Sequence, residues 1–213
     1  MGARGGFTLV ELAVAMVLLS VIGGLFFLTT ETTSNATRTG VAVAELDARA
    51  LRALDRVCES LKSSSGDLVT PKAASPFSGT QLDFKRGLGA DGAGKVVWGP
   101  LERFALVYDE ANDGVDNDGD GLVDEGKLVW TEKPGLAGSR SSVVCEGVRE
   151  YLAGEKLDGN DENGNGLIDE RGFALVFDGN RVTVRLTLES RDGDGHPLST
   201  TVQRSVVFRN QGI

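Results

Sequence analysis

The chain has 213 residues, with 22 Lys plus Arg against 31 Asp plus Glu and a formal net charge of −9. That length suits one ordinary domain with an appendage rather than a multidomain enzyme, and the negative balance disfavours nucleic acid, whose phosphates it repels. One histidine, His196, and two cysteines, Cys58 and Cys145, leave little material for histidine-dependent catalysis or a Cys/His zinc site.

Phe7 to Leu28 (FTLVELAVAMVLLSVIGGLFFL) is a run of 22 residues with a single charge, Glu11. At about 1.5 Å per residue, a helix of this length spans the roughly 30 Å hydrocarbon core of a bilayer. A secretory signal has a shorter apolar run, about 7 to 15 residues, with a small-residue cleavage site behind it. A plain anchor leaves Glu11 unexplained, because an unpartnered carboxylate at that depth costs on the order of 2.5 kcal/mol or more.

Gly5-Gly6-Phe7-Thr8-Leu9-Val10-Glu11-Leu12 resembles the class III signal of type IV pilins and type II secretion pseudopilins. The resemblance implies that residues 1–6 are a prepilin leader, that a prepilin peptidase cuts after Gly6, and that Phe7 becomes an N-methylated terminus. It makes Glu11 the fifth residue of the mature chain, placed to neutralise the terminal amine of a neighbouring subunit in an apolar filament core. It also implies a single-pass anchor in the bacterial inner membrane over residues 7–28. The soluble domain then lies in the periplasm or in an extracellular filament, with other minor and major pilins or pseudopilins as partners.

From residue 29 the chain turns polar, and then Leu46, Ala50, Leu54, Val57 and Leu61 recur at steps of three and four. That spacing predicts one apolar stripe on an amphipathic continuation of the helix over 29–66, softened at the threonines and Gly40 and ending near Ser63 to Gly66.

After Pro71 the period changes. Strands are predicted at Gln81 to Lys85, Lys95 to Trp98, Phe104 to Tyr108, Lys127 to Thr131, Phe173 to Phe177, Arg181 to Glu189 and Val202 to Arg209. Val182, Val184, Leu186 and Leu188 alternate with Thr183, Arg185, Thr187 and Glu189, the pattern of a sheet with one buried and one wet face. The expected fold is α+β: a long N-terminal helix on an antiparallel sheet formed within a β-rich domain over 67–213. The helix end Leu51-Arg52-Ala53-Leu54-Asp55-Arg56, the strand TQLDFKR and the closing VVFRN are most similar to minor members of the pilin family, the J-class pseudopilins and W-class pilins.

Two acidic loops interrupt the strands. Asp113 to Glu125 (DGVDNDGDGLVDE) recurs 45 residues later as Asp158 to Glu170 (DGNDENGNGLIDE). In the first, Asp116, Asp118 and Asp120 alternate ahead of Gly121, which converges hard oxygen donors on one point while glycine permits the turn. The Leu122 carbonyl and either Asp124 or Glu125 complete a candidate calcium site. In the second, Asp161, Asn163, Asn165, the Leu167 carbonyl and Asp169 or Glu170 take the same places, and the two amides predict weaker binding. The alternative is a pair of solvated Asp/Gly turns.

Segment 109–126 holds eight acids and no base, and 155–170 holds six acids and one lysine. Together they carry −13, leaving +4 for the rest of the chain. The acidity is local.

Gly87-Leu-Gly-Ala-Asp-Gly92 mimics a phosphate-binding motif, but a strand rather than a helix follows it, so it reads as a hairpin. Cys58 on the helix and Cys145 on a strand or its edge are either a disulfide or two thiols. No nucleophile, base and orienter combine, so neither an enzyme nor a small-molecule substrate is expected. The reading is a minor pilin or pseudopilin subunit that assembles at the tip of a secretion pseudopilus or a type IV pilus. The alternative is a filament-tip binding module whose acidic loops recognise a substrate or surface.

Overall fold

A computed structural model describes residues 8–71, 79–108, 110, 111, 113–164, 166–178 and 180–208. Gly6, Phe7 and Asn165 lie outside these residues. The first helix, α1, runs Leu9–Lys62, and the chain divides into two compact units at residues 42 and 43.

In the first unit, α1 passes through Gly23, Gly24 and Gly40 without a break. The expected softening at the threonines is absent. The hydroxyls of Thr30, Thr32, Thr33 and Thr37 each donate to the carbonyl four residues earlier, at 2.8 to 2.9 Å. This back-bonding keeps the polar groups satisfied inside the helical ladder. The apolar side chains of this unit, among them Leu9, Met16, Leu19, Phe26 and Phe27, are exposed.

In the second unit, Leu46, Ala50, Ala53, Leu54, Val57, Cys58 and Leu61 form the buried stripe of α1, matching the three-and-four spacing read from the sequence. A short 3-10 turn follows at Gly66–Leu68. The strands are β1 (Gln81–Ala90), β2 (Val96–Tyr108), β3 (Gly126–Glu132), β4 (Arg140–Val148), β5 (Phe173–Asp178), β6 (Arg181–Arg191) and β7 (Pro197–Val207). They make one antiparallel sheet in the order β1-β2-β3-β4-β6-β5, with β7 along the other side of β6.

The core lies between the α1 stripe and the inner face of the sheet. Leu82, Phe84, Phe104, Leu128, Leu175 and the even-numbered apolar residues of β6 are completely buried there. Phe84 and Phe104 stack with centroids 5.3 Å apart. The polar flank of α1 grips the sheet: Asp47 accepts from Thr200, Asp55 pairs with Arg204, and Arg56 donates to Ser142 at 2.8 Å.

Two of the predicted strands, Lys95 to Trp98 and Phe104 to Tyr108, are one strand, β2. Pro100 between them lacks an N–H, and the β1–β2 register shifts opposite it, between Lys85 and Gly87, so the proline sits in a bulge rather than at a break. Strand β4 was signalled in the sequence only by the placing of Cys145. The outer face of β6 is also less wet than the alternation suggests. Thr187 is fully buried, and its hydroxyl accepts the Ala153 amide at 3.2 Å and meets the Thr201 hydroxyl at 2.8 Å, because the chain after β4 folds over it.

Candidate functional site

At the N-terminal end, Thr8 and Glu11 hold each other across the first turn of α1. The Thr8 amide donates to Glu11 Oε2 at 2.8 Å, and the Glu11 amide donates to Thr8 Oγ1 at 3.2 Å. This is a capping box, in which a hydroxyl and a carboxylate three residues apart satisfy amides that a helix start leaves bare. The carboxylate assigned to a neighbour's amine therefore also closes its own helix. The helix contains a span long and apolar enough to cross a membrane by length and composition, with none of that span buried in the protein.

In the second unit both acidic loops connect strands consecutive in the chain, the first between β2 and β3, which pair, and the second between β4 and β5, which both pair with β6. Their backbones follow the same course. Asp116 accepts the amides of Gly119 and Gly121 at 2.6 and 2.9 Å; Asp161, 45 residues on, accepts those of Gly164 and Gly166 at 2.7 Å each. All four glycines have positive φ, from 71° to 93°, a region that a Cβ disfavours. Asp124 accepts the amides of Asp113 and Gly114 at 3.0 and 2.9 Å; Asp169 accepts those of Asp158 and Gly159 at 3.1 Å. Asp124 and Asp169 share a left-handed backbone, φ 55° and 50°.

That geometry separates the two acids that each loop offered as a closing ligand. Asp124 turns to the backbone amides at the start of its own loop. Glu125 turns inward, where its carboxylate, Asp118 and Asp120 each bring an oxygen within 4.8 Å of the others. Glu110, Asp116 and Asp118 form a second such group, and Asp118 belongs to both. Glu125 is 7% exposed, and its Oε2 has no hydrogen-bond partner. Burial pushes the Glu125 carboxyl up to about 7, and repulsion from Asp120, Glu110 and Asp118 adds to the shift. These groups could hold a metal ion. The Leu122 amide donates to Asp120 Oδ1 at 2.8 Å, which fixes the turn carrying the Leu122 carbonyl.

The second loop differs in its charges. Glu170, 1% exposed, receives Arg185 Nη1 at 3.0 and 3.1 Å on its two oxygens and Asn163 Nδ2 at 3.1 Å. Lys156 lies 2.8 Å from Asp158 and 3.8 Å from Glu162. Among the described residues, no three carboxylates of this loop converge as they do in the first. A cleft of about 510 Å³ opens between the loops, lined by Leu122, Asp124, Glu155, Lys156, Glu189 and Arg191 among others.

Residues 1–27 match the family model of the prokaryotic N-terminal methylation motif.

The methylation motif covers the segment that carries the pilin resemblance and supports it. Comparison with curated proteins and with solved structures finds no match to the chain. The motif ends before the second unit begins, so the acidic loops rest on their own geometry.

Glu110 is the site residue that the sequence reading missed. Its Oε1 accepts the Asn117 and Asp118 amides at 2.8 Å each, and its Oε2 accepts the Asp124 amide at 3.2 Å. The signal was present: Glu155 stands 45 residues later, in register with the repeat, and its Oε1 accepts the Asn163 amide at 3.2 Å. Asp192, Asp194 and His196 also come together, but Asp192 accepts the Asp194 and His196 amides at 3.0 and 2.8 Å, as a hairpin turn requires. The glycine-rich segment 87–92 is likewise a hairpin, its turn held by Asp91. Cys58 and Cys145 are free thiols, and burial pushes each up to about 11.

Proposed function

We propose that this chain is a pilin or pseudopilin subunit of the minor, J-class or W-class kind, acting in assembly rather than catalysis. The observation that carries this reading is the methylation motif over residues 1–27, leading into a 54-residue helix whose later part lies on an antiparallel sheet. In this reading a prepilin peptidase removes residues 1–6 and Phe7 is methylated. Residues 7–28 hold the subunit in the inner membrane, with the sheet domain outside the cytoplasm. Exposed apolar side chains along the first unit supply the surface that packs among other subunits of a secretion pseudopilus or type IV pilus, where no water competes. Glu11, already holding its own helix start, presents the charge that a neighbour's amine neutralises.

Calcium would tie down the acidic loops, the first more firmly than the second. The first set is Asp116, Asp118, Asp120, the Leu122 carbonyl and Glu125; the weaker set is Asp161, Asn163, Asn165, the Leu167 carbonyl and Glu170. The buried Glu125 oxygen without a partner supports a bound cation there.

A Gly6→Ala variant expressed with a prepilin peptidase should accumulate as unprocessed precursor by intact mass, and normal maturation of that variant would overturn the reading. The cleft between the loops favours a second role, recognition of a substrate or surface at the filament tip. Deleting residues 155–170 should then leave filament assembly intact while removing recognition.

A further inference from the structure

We propose that the two acidic loops, built on one backbone plan, are neutralised differently: the first by a divalent cation that Glu110 helps to hold, the second by Arg185 of the protein itself. This rests on the calcium reading above and goes beyond it in assigning one firmly bound ion per chain.

The first loop brings five carboxylates into two overlapping groups, Glu110, Asp116 and Asp118 on one side and Asp118, Asp120 and Glu125 on the other. The ion pairs of the second loop, Arg185 with Glu170 and Lys156 with Asp158 and Glu162, have no counterpart among the described residues of the first. Arg191, whose guanidinium reaches the first loop, donates to the Gly121 and Gly195 carbonyls. Carboxylates this close repel one another, and a buried Glu125 oxygen without a donor is unsatisfied as it stands. A cation bound between the two groups removes both costs. Glu110 belongs to the site because its backbone hydrogen bonds hold it beside Asp116 and Asp118 from outside the alternating motif.

In the second loop the corresponding closing acid already has its cation. Arg185 contacts both oxygens of Glu170, and two aspartates of the first loop are amides here, at 163 and 165. A divalent ion would have to displace or repel a half-buried guanidinium. Glu155, 4% exposed with Oε2 unpartnered, keeps the position from which an ion would be held if Arg185 were removed.

The test counts calcium ions on the full-length chain in detergent micelles, by native mass spectrometry and calorimetric titration. The unaltered chain should hold one ion firmly, Arg185→Gln should hold two, and Arg185→Lys, which keeps the charge, should stay at one. Glu110→Gln should weaken the ion at least about tenfold, the scale expected for loss of a supporting group, whereas the matched Glu155→Gln should leave it unchanged. That matched pair decides the matter even if Arg185→Gln does not fold. Two ions of similar affinity on the unaltered chain, or equal effects of Glu110→Gln and Glu155→Gln, overturn this inference and leave the calcium reading standing. No bound ion in any variant overturns the calcium reading itself.

Discussion

Asp124 and Glu125 are neighbours, yet a single left-handed residue sends their carboxylates in different directions. Asp124 accepts two backbone amides and Glu125 joins the acidic group. Their roles are separable by stability. In metal-free protein Asp124→Ala should lower the melting temperature, since it strips charged acceptors worth about 1.5–3 kcal/mol each from the loop. Asp118→Ala should cost little without metal but abolish the rise in melting temperature that calcium produces, because binding to the folded state alone is what stabilises it. Thermal denaturation with and without calcium reads both. With the Cys58 and Cys145 thiols both pushed up to about 11, the reactive thiolate is on the order of one part in ten thousand at pH 7. Iodoacetamide should leave Cys58 and Cys145 unmodified in the folded chain and label both after denaturation, as mass spectrometry would record.

At the scale of elements, the three-and-four spacing of Leu46, Ala50, Leu54, Val57 and Leu61 named the buried face of α1, because a helix that packs on one side repeats its apolar residues at its own period. The clean alternation in β6 named its inner face for the same reason. Leu54 is fully buried in that core, so Leu54→Ala should destabilise the domain by about 2–5 kcal/mol, measured by denaturant unfolding of the full chain. Strand β4, with the sequence RSSVVCEGV, was hard to read because serines and a glycine dilute its β signal, and its pairing with β3 decides its state. Two strands read from the pattern on either side of Pro100 are one in the structure, because β2 carries the proline through a bulge.

Across the second unit, the two loops meet on β6. Its odd-numbered residues point to one side, and on that side Arg185 reaches the second loop while Arg191 reaches the first. Removing calcium should therefore act on one loop and spare the other. Treating the full-length chain with a chelator should expose residues 109–125 to limited proteolysis, while 149–172, held by Arg185 and by Thr187 under Ala153, should stay resistant.

The N-terminal signal, the membrane-length apolar run, the helix stripe and the repeat of two acidic loops are legible in residue order alone, because each is written at a fixed local spacing. Three things were left to the tertiary structure: which acid of each closing pair turns inward, that Glu110 joins the first site, and that Arg185 enters the second. Those depend on backbone dihedrals and on a strand that lies next to a loop only after the sheet has formed. Charge counted along the chain could show that the acidity was local. Only charge located in space shows that Arg185 meets the closing acid of the second loop, while no such ion pair forms among the described residues of the first.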